Sequence, residues 1–179
     1  ETSDWVVVDA GDIIVHLFRP DARRHYNLEK MWAMPLPAME AALDKLPVKR
    51  LLQVINKEDA TVAAAVAKAI PEIEKTIKLI VPRLKKGGRL FYLGAGTSGR
   101  LGCVDASEMP PTYGVAPTLV QGIMAGGFEA LIKSREGAED DGALGRKDIS
   151  SRKIGKRDVV IGISASGRAR YVSEALLEA

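Results

Sequence analysis

This chain has almost no cysteine and almost no histidine. Cys103 is its one cysteine, and His16 and His25 are its two histidines. A lone cysteine excludes an internal disulfide framework and fits a reducing compartment. Cys103 itself reads as a small buried residue. With both histidines near the start, the rest of the chain has no imidazole to act as base or metal ligand. No metal site is therefore expected; no cofactor is expected either. Aromatic residues are scarce too, at 5%, although the hydrophobic fraction of 46% is ample for a core. No apolar run approaches the roughly 18 residues of a membrane span, so no membrane partner is expected. The opening Glu1-Thr2-Ser3-Asp4 does not read as a secretory signal, which makes the cytoplasm the expected location. No charge of one sign dominates either. The formal net charge is +3 with the two signs interspersed, which gives no reason to expect nucleic acid as a partner.

What is present is organised around residues 89–111, RLFYLGAGTSGRLGCVDASEMPP. Leu90 to Leu93 suit a buried strand. A loop of small residues follows, Gly94-Ala95-Gly96-Thr97-Ser98-Gly99, and then a polar segment ending in Glu108 and Pro110-Pro111. A strand, a glycine loop and a helix start together place backbone N–H groups around a phosphate. Gly94, Gly96 and Gly99 also fit G-x-G-x-x-G, a weak signal alone. A dinucleotide fold would put an acid about 20 residues further on. Here the next apolar run, Leu119 to Met124, ends in Ala125-Gly126-Gly127 without one. Thr97 and Ser98 can donate to the terminal oxygens of a phosphomonoester, which favours a sugar phosphate over a dinucleotide or a bare turn.

The length of 179 residues admits one ordinary domain, or one and a fraction. Trp5–Val8 and Ile13–Phe18 flank Asp9-Ala10-Gly11-Asp12 and predict a β-hairpin. A short helix is predicted over Asp21 to Trp32 after Pro20. Residues 34–46, with Pro35 and Pro37, form a join. Helical periodicity then runs from Val48 to Lys86. Asn56 to Asp59 is expected to break it, Pro71 to kink or divide it, and Gly87-Gly88 to stop it. Further strands are predicted at Leu119–Met124 and Asp158–Ser164. Helices are predicted at 128–134 and 169–179, with an acidic turn at 135–141. Strands alternating with helices make the fold class α/β, with a parallel sheet and right-handed crossovers. A second small-residue loop, Ser164-Ala165-Ser166-Gly167, follows the third strand. Both loops then lie at carboxyl strand ends, where open sheets bind ligands.

Two resemblances add to this reading. GRLFYLGAGTSGRLGCVDASEMPPTYGV, QGIMAGGFEAL, EGAEDD and DVVIGISASGR, in that order, resemble the N-acetylmuramic acid 6-phosphate etherase family of the sugar isomerase (SIS) fold group, which is similar to the glucokinase regulatory protein. The likeness covers about residues 45–179, so residues 47–179 are expected to be a partial SIS domain, which implies the three-layer, doubly wound form of the parallel sheet. It implies a lyase that removes D-lactate from the 3-position of N-acetylmuramic acid 6-phosphate, in recycling of the bacterial cell wall. Glu108 is implied as the acid/base carboxylate and Glu139 as a second required glutamate. Gly96, Thr97, Ser98, Gly99, Ser164, Ser166 and Gly167 are implied to hold the sugar 6-phosphate. Arg100 and Arg168 are further candidates for the phosphate, with a surface role equally open. A sugar-phosphate-binding regulator without catalysis is the alternative.

The chemistry suits these residue types. In the open-chain sugar the C2 proton is acidified by the aldehyde, and the lactyl ether lies β to that carbonyl. One carboxylate can take the proton, and a carboxylic acid can assist departure of the ether oxygen. Water then adds to the double bond.

The first 33 residues, with DWVVVDAGDIIVHLFRP and RRHYNLEKMW, resemble the C-terminal part of the ribosomal silencing factor (Iojap-like) family. This implies a contact with the large ribosomal subunit, with His16 and Tyr26 as candidates. The etherase likeness also implies a homodimer. Where the family continues Thr-Pro after Ser-Gly-Arg, this chain has Ala169-Arg170. The family's later strands and C-terminal helical part have no counterpart in the sequence. The chain as given is therefore expected to act poorly and to associate.

Overall fold

The computed structural model describes the backbone of two short strands, 5–9 and 14–18, and residues 43–179. Strand β1 (Trp5–Asp9) pairs antiparallel with β2 (Ile14–Phe18), Trp5 opposite Phe18 and Asp9 opposite Ile14, as the hairpin pattern predicted. The helix expected at residues 21–32, and His25 and Tyr26 with it, lie outside the described residues.

Helix α1 (Val48–Lys85) is continuous over 38 residues. The break expected at Asn56–Asp59 does not occur. These four polar side chains are exposed on the helix and interrupt no buried face. Pro71 and Pro82 lie inside it without dividing it. Each proline forgoes one N–H bond, but its neighbours keep theirs and the inner face still packs. The helix stops as predicted at Gly87, whose φ of 80° accepts the left-handed turn that lets Gly87 N bond Leu84 O.

The sheet holds β3 (Leu90–Gly94) at its centre, between β4 (Val120–Met124) and β5 (Val159–Ile163). Both neighbours run parallel to β3, with Gly94 opposite Met124 on one side and Ile163 on the other. Strand alternation sends Phe91 and Leu93 to one face and Leu90 and Tyr92 to the other. Helix α2 (Gly96–Tyr113) and the end of α1 cover the second face, where Ile80, Leu84, Ala106 and Met109 gather around Leu90 and Val120. A four-residue turn of helix, α3 (Glu129–Ile132), follows β4. Helices α4 (Gly142–Ser150) and α5 (Arg170–Glu178) cover the first face through Ile149, Tyr171, Val172 and Ala175. The result is the α/β, three-layer, parallel arrangement expected.

Helix α4 was not expected, because GALGRKDIS carries two glycines and little apolar periodicity. Those glycines are contact points. A Cβ at Gly145 would stand 2.2 Å from Tyr171 O, so only glycine lets α4 lie this close to α5. Asp141 caps the helix by accepting from Leu144 N at 2.9 Å. The same logic places Cys103. A Cβ on Gly122 of β4 would lie 2.5 Å from its sulfur, so the half-buried thiol fills the space that this glycine leaves. Burial pushes the Cys103 thiol up from its ordinary pKa.

Candidate active site

The carboxyl edge of the sheet carries the first loop. Helix α2 begins at Gly96, so Thr97, Ser98 and Gly99 form its first turn and are not part of a free loop. A Cβ on Gly99 would fall 2.4 Å from Gly94 O and 2.5 Å from Met124 Sδ. This pair of glycines is therefore what allows the helix to turn so tightly off the strand. Ala95 at the N-cap offers no side-chain acceptor. Gly99 N is the first of these amides to find an acceptor, Ala95 O at 3.2 Å. Gly96, Thr97 and Ser98 thus present N–H groups at the positive end of an 18-residue helix. Ser98 is buried at 9% exposure, and its hydroxyl has no hydrogen-bond partner among the described residues.

The second loop leaves from Ile163, directly opposite Gly94, so the two loops are neighbours. It is held by its own hydroxyls. Gly167 N donates to Ser164 Oγ at 3.1 Å and Arg168 N to Ser166 Oγ at 3.3 Å. Ser166, Gly167 and Arg168 are exposed and Ser164 is half-buried. Helix α5 then starts without a side-chain cap.

Glu139 is brought to this edge. Its carbonyl accepts from Tyr171 N, at the start of α5, at 2.8 Å. Beside it, Ala138 Cβ lies 3.6 Å from where a Cβ on Gly126 would stand, at the end of β4. The exposed Glu139 thus sits between the β4 exit and the start of α5. Glu108 is not brought there. It is exposed in the C-terminal half of α2, about 18 Å along the axis from Gly96 at 1.5 Å per residue. Pro110 and Pro111 do not break the helix. They lie in its last turn, and Gly114 closes it by donating to Pro110 O at 2.8 Å.

Arg100, just past the first turn of α2, is spent on the backbone of α3. Its Nε donates to Leu131 O at 3.0 Å and its Nη2 to Ala130 O at 2.7 Å. Two tyrosines form partly buried links that sequence reading missed. Tyr171 OH donates to Asp148 Oδ2 at 2.5 Å, and burial with this bond raises its pKa. Burial and a bond to Asp105 raise that of Tyr92. No sequence motif marks either pair.

The opposite, amino edge is closed by charge. Arg89 Nη2 meets Asp158 Oδ2 at 2.7 Å, and Asp158 Oδ1 also accepts from Arg89 N at 2.7 Å. The Arg89 guanidinium, with the Gly155 and Arg89 amides, outweighs burial and holds the Asp158 carboxyl down at about 2. A cleft of about 360 Å³ at this edge is lined by Lys78, Arg83, Lys86, Lys156 and Arg157. Arg83 and Arg157 there donate to the Leu79 and Lys86 carbonyls, which accounts for cations at the end of α1. Among the described residues, no three His, Cys, Asp or Glu side chains are grouped to hold a metal, and no helix is long and apolar enough to cross a membrane.

Comparison with known proteins finds two family matches and a set of relatives. A family model described as glucokinase regulatory protein N-terminal SIS domain matches residues 72–178. A second, ribosomal silencing factor during starvation, matches residues 1–75. N-acetylmuramic acid 6-phosphate etherase of Bacteroides thetaiotaomicron is 55% identical over 140 residues, 78% of this chain and 50% of the relative. The protein of the same name from Clostridium acetobutylicum is 55% identical over 137 residues, 76% of this chain and 45% of the relative. That from Symbiobacterium thermophilum is 53% identical over 137 residues, again 45% of its length. The chain thus spans half the length, or less, of these curated relatives.

Proposed function

Because this chain belongs to the family of the glucokinase regulatory protein N-terminal SIS domain, we propose that its carboxyl edge binds a sugar 6-phosphate and serves an etherase. The reaction is removal of D-lactate from N-acetylmuramic acid 6-phosphate, leaving N-acetylglucosamine 6-phosphate. The observation that carries this reading is the pair of adjacent loops, 94–99 and 164–167, with unspent amides on one and seryl hydroxyls on both. Relatives at 53–56% identity that bear the etherase name supply the substrate.

The phosphate sits at the first turn of α2, where Gly96, Thr97, Ser98 and Gly99 supply amides and hydroxyls. Ser164, Ser166 and Gly167 complete the cradle. Glu139 stands at the same edge, within reach of the sugar. Glu108 of the same chain does not, since a hexose phosphate cannot span most of α2. The reading therefore takes Glu108 from a second copy, in a homodimer. Leu101 and Val104, 48% and 58% exposed, share the face of α2 that carries Glu108 and suit such a contact. A carboxylate takes the C2 proton of the open-chain sugar, and a carboxylic acid protonates the departing lactyl oxygen. Water then adds at C3. The location that fits this substrate is the cytoplasm. Residues 47–179 form the sugar-phosphate unit of this reading, with 34–46 as the join.

The test is D-lactate release from N-acetylmuramic acid 6-phosphate in deuterium oxide. Lactate together with deuterium at C2 supports the reading. Binding of the sugar phosphate without either product would favour a regulator, the reading that the matched family model itself suggests. A third role, contact of residues 1–33 with the large ribosomal subunit, is supported by the second family match alone. Co-sedimentation with isolated subunits tests it.

A further inference from the structure

The loop after β4 is pinned at both ends by arginines. Gly126 and Gly127 turn the chain through left-handed conformations, at φ of 84° and 75°, and α3 follows with only four residues. A helix so short cannot hold itself together. Its carbonyls at Ala130 and Leu131 are taken instead by the Arg100 fork, from 30 and 31 residues away in sequence. Arg135 Nη1 donates to Gly126 O at 3.1 Å and fixes the other end. The segment also touches the phosphate-binding turn directly, since Ala125 N donates to Gly94 O at 3.0 Å.

We propose that Arg100 is a positioning residue of the sugar-phosphate site, fastening the β4–α3 loop to helix α2 as the site's third wall without touching the phosphate. This rests on the sugar-phosphate reading above and adds a part to it. The sequence leaves a phosphate contact and a surface role open for Arg100, and its bonds to the α3 carbonyls fit neither. A guanidinium whose Nε and one Nη are both spent on backbone carbonyls cannot swing to a phosphate without releasing α3. The planar fork also explains why lysine would not serve. A single ammonium cannot donate along two fixed directions to neighbouring carbonyls. The wall reaches the sugar end of the ligand, because β4 lies beside β3 and its exit stands next to the turn that cradles the phosphate.

The test uses the full chain with Arg100→Gln and Arg100→Lys, and two probes, inorganic phosphate and N-acetylglucosamine 6-phosphate. Calorimetry should show phosphate affinity within about twofold of wild type in both variants. Sugar-phosphate affinity should fall by about tenfold, the equivalent of one lost charge-assisted hydrogen bond. Amide exchange across residues 130–133 should quicken in both. If phosphate affinity falls as far as sugar-phosphate affinity, Arg100 is a direct ligand and the proposal is overturned. Unchanged exchange, or unchanged sugar-phosphate affinity, also overturns it. A wild-type chain that binds neither probe removes the sugar-phosphate reading itself, and with it the wall. Faster exchange in the variants would then mark only a tie within the fold.

Discussion

The two edges of the central sheet use their polar groups in opposite ways. At the amino edge, the Asp158 carboxylate accepts from the Arg89 side chain and from the Arg89 and Gly155 amides. Arg89 adds a stacking contact over Phe91, 4.9 Å from the ring centre. At the carboxyl edge, α2 and α5 both start without a side-chain cap, and the amides of Gly96 to Ser98 are left for something else. The first edge spends its hydrogen bonds on the fold. The second holds them in reserve, and it can do so because glycine contacts and Arg100 fix its shape instead. Stability and binding are therefore separable by mutation, edge by edge.

The largest effect should come where the two functions coincide. Gly99→Ala places a methyl group against Gly94 O and Met124 Sδ, so it should cost about 3 kcal/mol of stability. Urea unfolding measures this. Gly96, where an added Cβ meets nothing within 4 Å, should tolerate alanine better and lose only about 1 kcal/mol to its positive φ. A Gly99→Ala chain as stable as wild type would mean that the tight turn is not what shapes this edge.

Next in size is Glu108→Gln, which keeps volume and removes a carboxylate. D-lactate release should fall at least about 100-fold, while sugar-phosphate binding persists. Loss of binding instead would place Glu108 in the cradle.

Asp158→Ala should break the opposite edge. It removes the carboxylate partner of the partly buried Arg89, for a loss on the order of 2 kcal/mol, with ligand affinity unchanged. The pH dependence has a definite sign. The folded-state pKa of Asp158 lies below its ordinary value, so its contribution is complete above about pH 4 and is lost as pH falls towards 2. Acid unfolding of wild type and variant should converge over that window. An Asp158→Ala chain that loses sugar-phosphate affinity would show that the edges are coupled.

The smallest effect should be Ser98→Ala. It should leave stability nearly untouched and weaken sugar-phosphate binding by about 1 kcal/mol or somewhat more. Calorimetry on the pair of proteins reads it.

Much of this edge was legible in the sequence, for identifiable reasons. The runs 90–93, 119–124 and 158–164 announced the strands to within a residue or two. The small residues after the first and third announced the loops. What escaped was whatever depends on distant packing. The helix 142–150 was hidden because its glycines look like breakers until Tyr171 is seen against Gly145. The polar stretch 56–59 looked like a stop because nothing local shows that α1 carries on past it. Arg100 could be offered for the phosphate because its true acceptors are backbone carbonyls some 30 residues away, which no motif encodes. The distance from Glu108 to the loop was invisible because no motif shows that residues 96–113 form one unbroken helix.

The most direct test of the division between edges is an amide NMR titration of the full chain with N-acetylmuramic acid 6-phosphate. The amides of Gly96, Thr97 and Ser98 should shift with the ligand, together with those of 164–167. The amides of Arg89 and Gly155 should stay in place. Shifts centred on Arg89, Gly155 and the cationic cleft, with the carboxyl-edge amides unmoved, would contradict the account.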